Sequence, residues 1–166
     1  MKLFNINKNS SDPDGGEIFK DVSGNPTGVL NETAMGLISP PENTFEDHLN
    51  ALKMANDHAL ENGITTFHDA GSDFKDIRAY KELAKNGKLD LRLVIMLDGN
   101  NDSLLNHYYN RGPEIGLYDK HLTIRSIKLY ADGALGSRGA WLIEDYHDAE
   151  GEHGHIVTPI KTLRRV

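Results

Sequence analysis

The chain has 166 residues, 38% of them hydrophobic and 26% charged, the balance of a globular protein long enough to bury one core. It holds no cysteine and a formal net charge of −7, which excludes disulfides, thiolate metal sites and cysteine nucleophiles and, with no basic stripe, argues against nucleic acid as a partner. No segment approaches the roughly 18 apolar residues of a membrane span, and Met1 to Ser10 lacks the apolar stretch of a signal peptide, so a cytoplasmic protein is expected.

Residues 1–13 end in the polar, turn-rich string Asn9-Ser-Ser-Asp-Pro13 and are expected to be mobile, with the folded domain running over 14–166. A β-hairpin is predicted next: Glu17 to Asp21 and Gly28 to Glu32 flank Ser23-Gly-Asn-Pro26, which has the chemistry of a tight turn. Pro40-Pro41 breaks the chain. Thr44 followed by Asp47 then resembles a capping box, and Phe45, Leu49, Leu52, Ala55, Ala59 and Leu60 recur at helical spacing up to Asn62-Gly63, a good stop. Ile64 to His68 is β-branched and aromatic, and reads as a strand.

The same unit recurs. Phe74, Ile77, Tyr80, Leu83 and Ala84 mark a second helix, closed by Asn86-Gly87, and Leu91 to Leu97 is a near-continuous apolar strand of the kind covered on both faces. A third helix is expected around Ser103 to Asn110, before a strand over Leu122 to Asp132. Helix and strand alternate in units of constant size, which predicts an α/β fold with a parallel sheet. That pattern fits part of a (β/α)8 barrel and a doubly wound sheet equally.

In both folds ligands sit at the carboxyl ends of the strands, where His68, Asp69, Asp98, Lys128, Tyr130 and Asp132 are expected. Histidine and carboxylate suit zinc or other divalent ions; the bland reading is that polar residues gather wherever loops begin. Lys128 is the sharpest candidate. Strand alternation sets Ser126, Lys128, Tyr130 and Asp132 against Ile127, Leu129 and Ala131, and a charged residue on a buried strand is costly unless paired or bound. His68 and Asp69 are adjacent, so a regular strand turns them to opposite faces. Gly133 to Ala140 is glycine-rich and could cradle an anion through backbone N–H groups, but it matches neither the phosphate loop nor the dinucleotide fingerprint. His153-Gly-His155 has the form of a metal pair inside what reads as a polar surface loop. The helical His-Glu-x-x-His motif and the Gly-x-Ser-x-Gly elbow are absent.

Several stretches together resemble amidohydrolase family 3, the YtcJ-like branch of the metal-dependent amidohydrolases. The most specific is Ile127-Lys-Leu-Tyr-Ala-Asp-Gly-Ala-Leu-Gly-Ser-Arg-Gly-Ala140, followed by Leu142 and Tyr146. Gly15 to Ile18, Gly24 to Leu30, Gly63 to Gly71 and Gly87 to Arg92 support it in the family's order, over roughly residues 14–158. The resemblance implies a partial (β/α)8 TIM barrel, about strands two to four, behind the N-terminal hairpin. It implies hydrolysis of carbon–nitrogen bonds other than peptide bonds in a small amide-type substrate, with a divalent ion, zinc being the one expected. A metal-bound hydroxide would attack the carbonyl and an aspartate elsewhere in the barrel would relay the proton. Lys128 would be the lysine of the fourth strand, carboxylated by CO2 and bridging two ions, while His68, Asp132, Ser137 and Arg138 would line the site.

The family's other metal ligands do not occur in this sequence, so a piece of a larger enzyme, inactive alone, is expected, with a complementary barrel fragment as a partner. The competing reading is a non-catalytic α/β module that binds an anion or a partner chain through the Gly133 to Ala140 loop.

Overall fold

The computed structural model describes residues 1–166 and divides into two units, Met1–Pro41 with Tyr130–Val166, and Glu42–Leu129. No helix is long and apolar enough to cross a membrane.

In the first unit, β1 (Gly16–Lys20) and β2 (Pro26–Glu32) form the expected antiparallel hairpin. Its turn is held by Asp21, whose Oδ1 accepts from the N–H groups of Ser23 and Asn25 at 2.9 and 2.8 Å. Pro26 opens β2, where it owes the ladder no donor. Ile6, Ile18 and Ala34 form a small buried cluster, with Met1, Phe4, Leu30 and Ile38 packed against it.

The second unit starts with α1 (Phe45–Glu61), capped as the sequence predicts: Thr44 Oγ1 accepts from Asp47 N–H at 3.1 Å and the Asp47 carboxylate accepts from Thr44 N–H at 3.1 Å. Then follow β3 (Thr66–Ser72), α2 (Phe74–Lys85), β4 (Arg92–Asp98), α3 (Asp102–Arg111), a short β5 (Glu114–Gly116) and β6 (Leu122–Lys128). The strand order is β3-β4-β6-β5; β3, β4 and β6 run parallel, and β5 is antiparallel to β6. The mixed edge was not foreseen. Its link to β6 is a left-handed turn in which Tyr118, Asp119 and Lys120 all take positive φ (51°, 57° and 69°), a conformation that costs each side chain about 1–2 kcal/mol. In the first unit a last helix, α4, covers Ile160–Arg165.

Register sorts every side chain of the parallel ladder to one of two faces. Asp69 pairs with Ile95 and Ile95 with Ile124; Leu97 pairs with Ser72 and with Ile127. This face carries the helices. Phe67 and Leu93 line an apolar hollow with Leu52, Ala55 and Ala59 of α1, Tyr80 of α2 reaches Asp69, and Leu97, Ile124 and Ile127 line a second hollow with Tyr108 of α3. Ile95, Leu104, Leu105, Leu122 and Ile124 are its most buried members. The opposite face carries Thr66, His68 and Ala70 beside Arg92, Val94, Met96 and Asp98, then Thr123, Ser126 and Lys128; α1, α2 and α3 all lie on the other side.

Two bulges keep this sorting intact. In β6 the register shifts between Ile95 and Met96: Ile95 pairs with Ile124, but Met96 pairs with Ser126, leaving Arg125 as the extra residue. Strict alternation from Leu122 and Ile124 would send Lys128 among the helices. The extra residue reverses the phase, so Ile127 stays inside and Lys128 emerges on the helix-free face. In β3 the extra residue is Gly71, whose φ of 104° suits glycine.

Asn56 ties α1 to the start of β4. It is 3% exposed, and its Oδ1 accepts from the N–H groups of Asp90 and Leu91 at 3.1 and 3.2 Å. Asn56→Ala strands both donors and is expected to cost about 2–4 kcal/mol, read as a lowered urea midpoint with unchanged m-value.

Deleting Arg125 removes the bulge and leaves Met96 opposite Ser126, with Ile127 and Lys128 on their present faces. The deletion is expected to cost less than about 1 kcal/mol; were the strand regular, the same deletion would exchange those two residues and cost several kcal/mol through a buried ammonium. Chemical denaturation distinguishes the two outcomes.

Burial and the neighbouring Glu114 push the Tyr108 phenol up to about 12, and burial beside Asp69 pushes Tyr80 further still. The folded chain therefore keeps protons that the unfolded chain sheds near pH 10. Stability is full below about pH 10 and falls as pH rises toward about 12, and Tyr108→Phe should flatten that fall in a series of urea titrations.

Candidate functional site

β4 and β6 end together. Asp98 and Lys128 are Cα partners, the last residues of their strands, on the helix-free face. Both are half-buried. The backbone beyond them is fastened: Gly99 N–H donates to Lys128 C=O at 2.9 Å, and Asn100 N–H donates to Asp98 Oδ1 at 2.9 Å. Gly99 is buried, and a Cβ there would sit 2.6 Å from the Leu129 side chain. Only glycine lets the two strand ends approach this closely. Lys128 thus lies, as strand reasoning put it, near the carboxyl end of a strand parallel to β3 and β4, and it is half-buried. Asp98, named among the strand-end residues but given no role, is its neighbour.

His68 shares that face but pairs with Val94, four residues before Asp98, roughly 13 Å nearer the amino ends at 3.3 Å per residue. It is exposed and lies mid-strand, since β3 runs on to Ser72. Asp69 turns to the helix side, where its Oδ2 accepts from Tyr80 Oη at 2.9 Å and Ser72 Oγ at 2.7 Å. Its work is to anchor α2 to β3.

The expectation that β6 continues to Asp132 is corrected. The strand stops at Lys128, because the following backbone finds other partners: Ala131 C=O accepts from Val157 N–H at 3.0 Å, and Asp132 bridges to Ile156. Tyr130 and Asp132 therefore do not follow Lys128 along one strand face. Asp132 Oδ2 accepts from Trp141 N–H at 2.9 Å, closing the loop that carries Ser137 and Arg138. Ser137 Oγ donates to Ala134 C=O at 3.2 Å, and Arg138 makes a two-pronged pair with Asp148, Nε to Oδ1 at 3.2 Å and Nη2 to Oδ2 at 2.9 Å. That contact holds the Asp148 carboxyl below its ordinary range and raises Arg138, and because the pair is exposed it adds little stability.

The glycine loop does hold an anion, and the anion is the chain's own. Glu32, at the end of β2, accepts from Ala134 N–H at 3.0 Å through Oε1 and packs so closely on Gly133 and Gly139 that a Cβ at either would strike its carboxylate. Glu32 takes a φ of 48° to reach that position, strain tolerated where the surroundings fix it. Asn31, 8% exposed, donates from Nδ2 to Ser137 C=O at 3.0 Å. The N–H groups of Gly133, Arg138, Gly139, Ala140 and Trp141 also have acceptors within the chain. Most of the backbone donors that an external anion would use in this loop are therefore engaged within the chain. Sequence reasoning missed Glu32 because 102 residues separate it from its partner.

No group of three or more histidine, aspartate or glutamate side chains converges anywhere in the chain. His153 Nδ1 lies 3.9 Å from Asp145 Oδ1 on an exposed segment, and His48 Nε2 lies 2.8 Å from Asp76 Oδ1 between α1 and α2, where burial keeps the Asp76 carboxyl above its ordinary range. At the carboxyl ends of the strands the face opposite α1, α2 and α3 supplies Lys128 and Asp98, with His68 four residues away along the ladder, fewer than the four to six ligands a divalent ion takes.

Among curated proteins, the chain is 31% identical over 174 residues to the putative amidohydrolase YtcJ of Bacillus subtilis, covering 100% of this chain and 32% of that protein. It is 30% identical over 177 residues to the protein LONG AFTER FAR-RED 3 of Arabidopsis thaliana, covering 97% and 30%. Its structure is similar to an uncharacterized metal-dependent hydrolase of Pyrococcus horikoshii OT3, with a TM-score of 0.68, 27% identity, and 99% of this chain against 32% of that one. A second, from Pyrococcus furiosus, gives 0.66 and 25%, over 80% and 28%. The chain thus spans about a third of the length of these relatives. The profile of the amidohydrolase family matches residues 1–164, and with the lysine-bearing parallel sheet described above this places the chain in that family.

Proposed function

We propose that this chain is the portion of a metal-dependent amidohydrolase that carries the site lysine, and that the complete enzyme hydrolyses carbon–nitrogen bonds other than peptide bonds in small amide-type molecules. The observation that carries this reading is Lys128, half-buried at the carboxyl end of β6, beside Asp98, on the face of the parallel sheet opposite α1, α2 and α3. In a (β/α)8 barrel such a face is the interior and such an end is the mouth of the active site. The parallel strands β3, β4 and β6 would be about the second to fourth of that barrel.

The cofactor of this reading is a divalent ion, zinc by preference, which supplies an activated water and polarises the substrate carbonyl. This chain's donors do not complete its site. An ammonium cannot ligate a cation, so Lys128 takes part only as its carbamate, the carboxylated form, which presents oxygen donors. Asp98 fixes the loop after β4 through Asn100 N–H, which steadies the wall next to that lysine. Asp132, Ser137 and Arg138 sit on the loop that Glu32 and Asn31 hold in shape, and His68 lies deeper on the same sheet face as Lys128. The remaining ligands would come from the two thirds of the relatives' length that this chain does not span. A cytoplasmic location accords with the absence of cysteine.

The purified 166-residue chain is expected to bind zinc weakly and to turn over no amide. A chimera in which it replaces the matching segment of the Bacillus subtilis protein should hydrolyse a simple N-substituted amide, lose that activity to a chelator, and lose at least about 100-fold on Lys128→Ala. A folded chimera whose turnover ignores both the chelator and Lys128→Ala sinks the reading, as does chelator-sensitive turnover by the isolated chain.

A further inference from the structure

A cleft of about 360 Å³ lies between α2 and α3, on the helix side of the sheet and away from the face that carries Lys128 and Asp98. Its volume is that of a small-molecule site. One wall is a single face of α2, on which Phe74, Ile77, Arg78, Lys81 and Lys85 recur at helical spacing. His107 and Tyr108 of α3 form the other, and Tyr118 joins them from the left-handed turn before β6. Three cations line the cleft against one carboxylate, Glu82, in a chain whose net charge is −7. The Lys81 ammonium pairs with Glu114, which it shares with Arg111, so one carboxylate stands between two cations. The Arg78 guanidinium lies 4.3 Å from the centre of the Phe45 ring. Lys85 is exposed and has no carboxylate partner.

A row of cations on a helix is ordinarily a solvated face. Here uncovered aromatic surface goes with it. Phe74 is 43% exposed and Tyr118 38% exposed, and the Phe74 ring meets His107 edge-on at 5.7 Å, from α2 to α3. Tyr118 holds its place at a φ of 51°, strain of a kind that clusters at ligand-binding segments. We propose that this cleft binds a small aromatic anion, a planar ring bearing a phosphate or carboxylate group. The ring lies against Phe74 and Tyr118, where apolar surface is open, and the anionic group turns toward Lys85. No step of the amidohydrolase reading uses these residues, so the two stand or fall separately.

The test is a titration of the 166-residue chain, followed residue by residue in proton–nitrogen correlation spectra. The probes are AMP and benzoate, which differ in the anionic group and so report which one the cleft takes. Adenosine and inorganic phosphate serve as a ring without charge and a charge without ring. AMP or benzoate is expected to saturate with a Kd below about 1 mM and to shift the amides of Arg78, Lys85, His107 and Tyr118, while adenosine and phosphate bind at least about 10-fold more weakly. Lys85→Glu reverses an exposed charge without touching the core, and Tyr118→Gly removes a ring at a φ that glycine adopts freely. Each variant should weaken the tighter probe by at least about 10-fold. The inference is overturned if neither ring-bearing anion saturates below about 1 mM, if adenosine or phosphate binds as tightly as they do, or if either variant binds like the parent chain. Shifts confined to residues outside the cleft overturn it as well.

Discussion

The second unit depends on one constraint, the sorting of side chains by the parallel ladder of β3, β4 and β6. Each strand must give its apolar side chains to the helices and its polar ones to the opposite face. A single residue out of phase would put an ammonium among Ile95, Leu104 and Ile124, all essentially without solvent exposure, at a cost comparable to the whole stability of a small domain. The extra residue at Arg125 prevents this. It decouples the amino half of β6, where Leu122 and Ile124 fill the core, from the carboxyl half, where Lys128 faces the other way. Packing and site are thus built into one strand without competing.

In the first unit the corresponding problem is a glycine-rich loop, which by composition is loose. Glu32 and Asn31 supply the order from the end of the hairpin, the carboxylate meeting Ala134 N–H and the amide meeting Ser137 C=O. Gly133 and Gly139 are glycines for the space that the Glu32 carboxylate occupies. The side chain that engages the loop through Ala134 N–H also holds the backbone that carries Ser137 and Arg138.

Several elements were legible in the sequence because their causes are local. The capping box of Thr44 and Asp47, the stops at Gly63 and Gly87, the Asp21-centred hairpin turn and the apolar run of β4 each depend on residues a few positions apart. The bulge had a signal that went unused: apolar positions in β6 advance by two from Leu122 to Ile124 and then by three to Ile127, and only an extra residue reconciles them with one face. The left-handed turn at Tyr118 to Lys120 had none, since none of those residues prefers positive φ; it is imposed by the need to join β5 to β6.

By itself the sequence determined the alternation of helix and strand, the parallel sheet, the standing of Lys128 as the residue to watch, and the amidohydrolase resemblance, since all of these rest on periodicity and contiguous motifs. Tertiary structure alone decided which residues stand beside that lysine. It brought up Asp98 across the ladder, left His68 four residues below, ended β6 before Asp132, and closed the glycine loop with a carboxylate from a distant strand. The physical reason is that strand register and long-range hydrogen bonds are settled by packing between segments far apart in the chain, and no local preference encodes them.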